Sequence, residues 1–181
     1  MRRLLLFAVL FSASSLMCAQ ENPKYEFFGG YSLLHSSGAT ANGWEASGAY
    51  NFDRWIGVAL DVSGHYRSES NDFLRFSDHH HFVTVGPQLS WRVNRGTLFG
   101  HALFGYGRES VSERLLFPLP PGFSNSFDAS DNSFATVLGG GGDWNLGKQF
   151  AWRVAQLDYV RSNDQNHFRF STGLVFRFGS R

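Results

Sequence analysis

The sequence predicts an all-β chain closed into an eight-stranded antiparallel up-and-down barrel, and three observations carry that prediction. The dominant hydropathy period is two, over segments of about eleven residues each. Tight turns and longer polar links alternate along the chain. Glycine and aromatic residues are abundant, with 20 Gly and 19 Phe, while Lys24 and Lys148 are the only lysines. Surfaces bathed in water rely on Lys and Glu, so much of this surface is expected to meet something else. A formal net charge of +1 lacks the basic footprint of a nucleic-acid binder, and the aromatic content excludes an unfolded chain.

The N-terminal segment stands apart from this pattern. Met1-Arg2-Arg3 precedes the apolar run Leu4 to Phe11, the small residues Ser12 to Ser15, and Leu16-Met17-Cys18-Ala19. Residues 1–19 are expected to be a secretory signal peptide cut after Ala19, leaving 20–181 as the barrel domain. The apolar run is far shorter than the roughly 20 residues a membrane helix needs. Ser15-Leu16-Met17 is a poor match to the small-residue box of a lipidated cysteine. Cleavage removes Cys18, the single cysteine, so the exported chain is held together without disulfides.

The strands follow in order at about 24–34, 43–52, 55–67, 79–92, 97–108, 133–145, 150–161 and 166–178. The first carries Glu26 and Tyr31 on opposite faces. In the second, Trp44, Ala46, Gly48, Tyr50 and Phe52 oppose Glu45, Ser47, Ala49 and Asn51. In the third, Ile56, Val58, Leu60, Val62, Gly64 and Tyr66 oppose Gly57, Ala59, Asp61, Ser63, His65 and Arg67. The fourth sets Val83, Val85, Pro87, Leu89 and Trp91 against Thr84, Gly86, Gln88, Ser90 and Arg92. Pro87 lacks a ladder donor, which predicts a local irregularity. The fifth and sixth carry His101, Tyr106, Asp143 and Trp144. In the seventh, Arg153 has the opposite parity to Gln156 and Asp158, so either a bulge intervenes or one of these groups points outward. The eighth opposes Phe168, Phe170, Thr172, Leu174, Phe176 and Phe178 to Arg169, Ser171, Gly173, Val175 and Arg177. Asp53-Arg54, Val93-Asn94-Arg95-Gly96 and Leu146-Gly147-Lys148-Gln149 read as tight turns, and 35–42, 68–78, 109–132 and 162–165 as longer polar loops.

Period two does not separate a membrane barrel from a soluble, lipocalin-like one; the composition of the faces does. One face is Gly, Ala and Ser with single charges at Glu26, Glu45, Asp61, His65, His101, Asp143 and Arg169, residues suited to a crowded interior. The other is bulky and apolar, with Tyr31, Trp44, Tyr66, Trp91, Tyr106 and Trp144 near strand ends, where amphipathic rings favour a membrane interface. The expectation is a transmembrane barrel with the polar face inside. Eight strands leave an interior just wide enough for side chains, so interior charges must pair across it.

The last strand carries the most specific resemblance. Ser171-Thr172-Gly173-Leu174-Val175-Phe176-Arg177-Phe178 resembles the C-terminal assembly signal of small eight-stranded outer-membrane β-barrels, although Gly179-Ser180-Arg181 follow its final aromatic. In layout the mature chain is similar to the transmembrane domain of outer-membrane protein A. The resemblance implies an outer-membrane location, four loops outside, outer-membrane lipid as solvent, and recognition of Ser171, Gly173, Phe176 and Phe178 by the barrel-assembly machinery.

Candidate chemistry is sparse. Asp78-His79-His80-His81 is the conspicuous cluster, but adjacent residues of a strand face opposite ways, so only His79 and His81 share a side. The plain reading is polar residues at the loop-bearing rim; the other is a metal site completed from elsewhere. Gly139-Gly140-Gly141-Gly142 lacks the Lys-Ser/Thr of a phosphate loop and reads as relief of crowding in a narrow barrel. The apolar stretch Leu115-Leu116-Phe117-Pro118-Leu119-Pro120-Pro121-Gly122-Phe123 is a self-packed loop or a contact surface. Ser77, His79 and His81 are the residues a lipid A deacylase-type barrel enzyme would draw on, since such enzymes pair Ser and His near the outer rim. The sequence assigns no catalytic, cofactor or metal residue. The expectation is a structural, adhesive or surface-interaction protein without enzymatic activity. The alternatives are a lipid-modifying barrel enzyme and a soluble exported barrel binding an apolar ligand.

Overall fold

Alternating apolar and small polar residues build one closed sheet. The computed structural model describes residues 22–36, 38–70, 74–115, 126–162 and 165–180. The expected signal peptide and residues 116–123 of the apolar stretch lie outside them. Eight strands form β1 (Pro23–Ser36), β2 (Ala39–Asn51), β3 (Ile56–Ser70), β4 (Leu74–Val93), β5 (Gly96–Leu115), β6 (Ser126–Asn145), β7 (Phe150–Ser162) and β8 (Gln165–Ser180). Each pairs antiparallel with its sequence neighbour, and β8 pairs with β1 through Tyr25↔Phe178, Phe27↔Phe176 and Tyr31↔Thr172. Closure leaves no edge within the barrel wall, which hydrocarbon demands because it cannot hydrogen-bond a free backbone group.

The connections differ from the expected alternation, because β1–β2 and β7–β8 are joined by two residues each while β2–β3 and β6–β7 are joined by four. At one rim, tight turns close on backbone hydrogen bonds, Phe52 N–H and Asp53 N–H to Ile56 O and Leu146 N–H and Gly147 N–H to Phe150 O. At the other, the β1–β2 hairpin turns through Gly38, whose φ of +85° favours glycine.

The faces are as the periodicity predicts. Leu60, Val83, Val85, Leu98, Leu138, Leu157 and Leu174 point outward and are exposed, whereas Glu26, Glu45, Asp61, Asp143, Arg153, Asp158, Arg169 and Arg177 are buried inside. This is inverted from a water-soluble protein and matches a wall in lipid. Trp55, Trp91, Trp144, Phe150 and Trp152 line the outer surface at the turn rim, and Tyr31, Trp44, Tyr66, Tyr106 and Phe134 at the loop rim. From Ile56 to Tyr66, β3 covers about 33 Å along its length. At the tilt usual for such barrels that is about 25 Å of height, the thickness of an outer-membrane apolar band.

Three details answer open points. β7 is bulged between Arg153 and Gln156, so Arg153, Gln156 and Asp158 all face inward. The β4–β5 ladder is interrupted at Gly86 and Pro87, between Val85↔Phe104 and Gln88↔His101. Gly139 and Gly141 face inward, where an added Cβ would lie 2.4 Å from Leu157 O and 2.5 Å from Ala155 O, so the glycine run lets neighbouring backbones approach.

The strand lengths require a correction. Residues 68–78 and 109–132, expected as loops, are largely strand: β4, β5 and β6 each run 20 residues. The β4–β5 ladder continues to Leu74↔Leu115 and the β5–β6 ladder to Arg114↔Ser126. Their polar composition has a physical reason. Beyond the apolar band both faces of a sheet meet water, so nothing selects for alternation. Links 35–42 and 162–165 shorten likewise, because β1 reaches Ser36, β2 starts at Ala39, β7 ends at Ser162 and β8 starts at Gln165.

Candidate functional site

The lumen and the surface above it hold the polar groups. Inward parity on strands β2, β3, β7 and β8 brings Glu45, Asp61, Asp158 and Arg169 together at mid-barrel. The fully buried Arg169 donates from Nε and Nη2 to Asp158 Oδ2 at 2.9 and 2.7 Å, and from Nη1 to Asp61 Oδ1 at 2.9 Å and Ser63 Oγ at 2.8 Å. Glu45 Oε2 lies 3.3 Å from Arg169 Nε. His101 Nε2 stands 2.9 Å from Asp158 Oδ1. The planar guanidinium, with five donors in a fixed fork, is suited to such a many-sided role.

A second cluster closes the turn-side end. Arg177 donates to Glu26 Oε2 at 3.1 Å and Asp143 Oδ2 at 2.8 Å, and Arg92 pairs with Glu26. Arg153 donates to Asp143 Oδ1 at 2.9 Å, with its guanidinium 4.3 Å from the Phe28 ring centroid and 4.1 Å from that of Phe99. Gln156 joins the two clusters. Its Oε1 accepts from Arg153 at 2.7 Å, and its Nε2 donates at 2.7 Å to both Glu45 Oε1 and Asp158 Oδ2. Contacts running from β7 to β2 and from β8 to β3 cross the barrel, so the interior is a plug rather than a pore.

Above the plug, at the loop-side mouth, the histidine motif divides. His79 and His81 face outward on either side of Tyr66, with ring centroids at 5.3 and 5.5 Å. His80 faces inward, buried against Phe82 and His167. Ser77 Oγ contacts Ser68 Oγ at 3.5 Å, and among the described residues no hydrogen bond joins it to His79 or His81. The Ser-His pairing of an esterase is therefore not assembled from these three residues.

Of the interior residues read from the sequence, Glu26, Glu45, Asp61, His65, His101, Asp143 and Arg169 all face the lumen. Arg92 and Arg177, set on the polar face by parity, are interior as well, whereas sequence reasoning passed over His80 and His167 as interior groups. Parity held the signal: His80 is in phase with Thr84, and His167 with Arg169.

Above the barrel the strands run on as a separate surface. Residues 67–70 of β3 pair only with β4, because the β2–β3 ladder ends at Asn42↔Tyr66. Residues 126–134 of β6 pair only with β5, because the β6–β7 ladder begins at Ala135↔Ser162. Together with the ends of β4 and β5 they make a four-stranded sheet whose residues 127–132 and 112–114 are exposed on both faces.

No family model matches the chain, and no curated protein does. Solved structures do. The attachment invasion locus protein of Yersinia pestis aligns at a TM-score of 0.65 with 20% identity, over 87% of this chain and 99% of that one. Neisserial surface protein A aligns at 0.58 with 15% identity, over 85% and 96%. The N-terminal β-barrel domain of OprF from Pseudomonas aeruginosa aligns at 0.53 with 12% identity, over 86% and 98%. At these identities the likeness is one of fold. Closed topology, inverted faces, paired interior and these neighbours agree that the chain has the fold of the small eight-stranded outer-membrane β-barrels.

Proposed function

We propose that this chain resides in a bacterial outer membrane as a non-enzymatic surface-interaction protein, adhesive in character, with the projecting sheet as its working surface. One observation carries this reading: β5 and β6 keep pairing for eight residues, about 27 Å, beyond Tyr106, past the apolar band, above a lumen closed by ion pairs. A protein built only to span the membrane has no use for that extension, and a conducting one has no use for the plug. A neighbour whose name speaks of attachment and invasion supports the direction of the proposal. The unassembled Ser77, His79 and His81 favour it over a lipid-modifying enzyme.

The test shortens the β5–β6 hairpin so that a tight turn joins Arg108 to Asn132. The barrel should still insert and show heat-modifiable gel mobility, while binding of expressing cells to host-cell or matrix surfaces falls to background. Undiminished binding by the shortened protein overturns the adhesive role. Turnover of lipid A by the purified barrel overturns the non-enzymatic one. Large, steady single-channel currents in planar bilayers overturn the sealed lumen.

A further inference from the structure

The turn-side end of the lumen differs from its middle in charge balance. At mid-barrel three carboxylates surround one guanidinium, that of Arg169. At the turn side the ratio is reversed, because Arg92, Arg153 and Arg177 share two carboxylates, Glu26 and Asp143. Arg92 is the incompletely satisfied member. Its side chain is 6% exposed, its Nη2 is taken by Glu26 and its Nη1 donates to Arg54 O at 2.5 Å, yet its buried Nε has no hydrogen-bond partner. A buried N–H without an acceptor costs free energy, and a buried cation in surplus calls for an anion.

The surroundings of Arg92 say which anion. Arg92 lines a cleft of about 1150 Å³ at the turn-side mouth, and Arg177 from β8 and Lys148 from the β6–β7 turn line it as well. Its outer wall is apolar, since Leu146, Phe150 and Phe178 belong to it and are exposed on the outer surface. The cleft thus runs from the polar end of the lumen to the lipid-facing surface, with cations inside and hydrocarbon-compatible groups outside. The rim around it continues the theme. Lys24 Nζ lies 5.7 Å from the ring centroids of both Tyr25 and Tyr50, and the Arg54 guanidinium 4.8 Å from that of Trp55. Cations on aromatic belts reach in this way for the headgroup layer. Asp53 is the one acid on the tight turns, and its Oδ1 already accepts from Arg54 N–H at 2.6 Å. Guanidinium forks match phosphate oxygens bidentately, lysine adds a point charge, and basic pockets at a membrane face take anionic headgroups.

We infer that the turn-side cleft is a binding site for a phosphate group, held by Arg92, Arg177 and Lys148. Two sources carry that chemistry: the headgroup of an anionic phospholipid in the leaflet at the turn side, and the free phosphate ion. The apolar wall favours the lipid, whose acyl chains would lie along Phe150 and Phe178, whereas a free ion has no use for it. The lipid source rests on the reading of the barrel as a membrane protein; the site is independent of the adhesive role of the projecting sheet.

The test uses the mature barrel in neutral detergent, mixed with phosphatidylglycerol or with phosphatidylcholine of the same chains, and counts retained lipid by native mass spectrometry. In a second arm inorganic phosphate is titrated into the lipid-free barrel by calorimetry. One phosphatidylglycerol per barrel is expected, retained at least about 5-fold more than phosphatidylcholine because the cleft rewards net negative charge. Lys148→Gln and, separately, Arg92→Gln should each lower that retention at least about 3-fold. Arg108→Gln, an exposed cation paired with the outward-facing His81 at the loop rim, should change it less than about 1.5-fold. Lys148 is exposed on a turn, so Lys148→Gln decides the matter should Arg92→Gln not fold. Heat-modifiable mobility of each sample reports the membrane-barrel reading separately. Saturable binding of inorganic phosphate, weakened by Lys148→Gln, upholds the site with the free ion as its ligand; retention of phosphatidylglycerol without it upholds the site with the lipid. The inference is overturned if the two lipids are retained equally and inorganic phosphate does not bind, or if Arg108→Gln lowers retention as much as Lys148→Gln. The latter result would mark adventitious attraction to any surface cation.

Discussion

The wall of the barrel and the sheet above it are one continuous set of hydrogen-bonded strands, yet they read differently in sequence and carry different loads. In the wall, a lipid-facing Leu60 alternates with a buried Asp61; in the sheet, Phe127 to Asn132 are exposed without regard to parity. The ladder is the same in both, as Leu98↔Gly142 and Ser112↔Asp128 belong to one pairing. What differs is the medium on each side. Alternation records two unlike solvents across a sheet, not the sheet itself. Stability in the wall therefore depends on which residue faces which medium, and stability in the sheet depends mainly on the backbone ladder.

The sharpest way to break this contrast is inside the wall. Arg169→Leu leaves Glu45, Asp61 and Asp158 without the guanidinium that joins them. Removing one partner of a buried ionic cluster costs about 3–5 kcal/mol, and here three acids share the one cation. Urea unfolding in lipid vesicles should register a loss of that size. A loss below about 1 kcal/mol would mean that water reaches the lumen and solvates the carboxylates. Leu60→Arg tests the other face. Leu60 is 49% exposed, and in lipid a cation at mid-band costs about 2–4 kcal/mol. Folding into vesicles as well as the unaltered protein would place the band elsewhere.

How much of this was legible follows from the same contrast. Every strand core was readable because residues such as Ile56 to Tyr66 and Phe168 to Phe178 record the two media residue by residue. The strand ends beyond the band were not: Ser, Asn and Asp between positions 109 and 132 have the composition of a loop, and only register with β5 reveals them as strand. The inward set was partly legible, since parity placed Asp61 and Arg169, but parity does not say which charges meet across a lumen. Arg153 shows why. Its phase with Asp158 depends on a bulge, and an extra residue in one strand leaves no mark in a single sequence. The histidine motif misdirected attention to His79 and His81 because adjacency in sequence is conspicuous, whereas His80 and His167 meet only after closure.

A third experiment addresses assembly, where wall and signal overlap. Phe178 stacks on Tyr25 at 5.0 Å and Phe27 at 5.7 Å across the closing β8–β1 seam, and Phe176 meets Phe150 at 5.2 Å. We propose that Phe176 and Phe178 are also read by the assembly machinery before the seam forms. Replacing both with Ala should then lower outer-membrane yield in cells several-fold more than the folded fraction in detergent. Equal losses in the two settings would leave only the seam contacts as their role.

The smallest expected effect is the most telling for where the wall ends. Phe127 is 66% exposed, more than Leu60, and by exposure alone the two positions look alike. Phe127 pairs with Glu113, seven residues beyond Tyr106 along β5, so its side chain stands in water above the interface aromatics. Phe127→Arg should therefore change stability by no more than about 0.5 kcal/mol in the vesicles where Leu60→Arg costs several times that. The pair works as a depth gauge, because the introduced group is identical and only the surrounding medium changes. A cost at Phe127 equal to that at Leu60 would put β6 from Ser126 onward in hydrocarbon and remove the projecting sheet as a working surface. A cost near zero at both positions would mean that neither residue faces lipid.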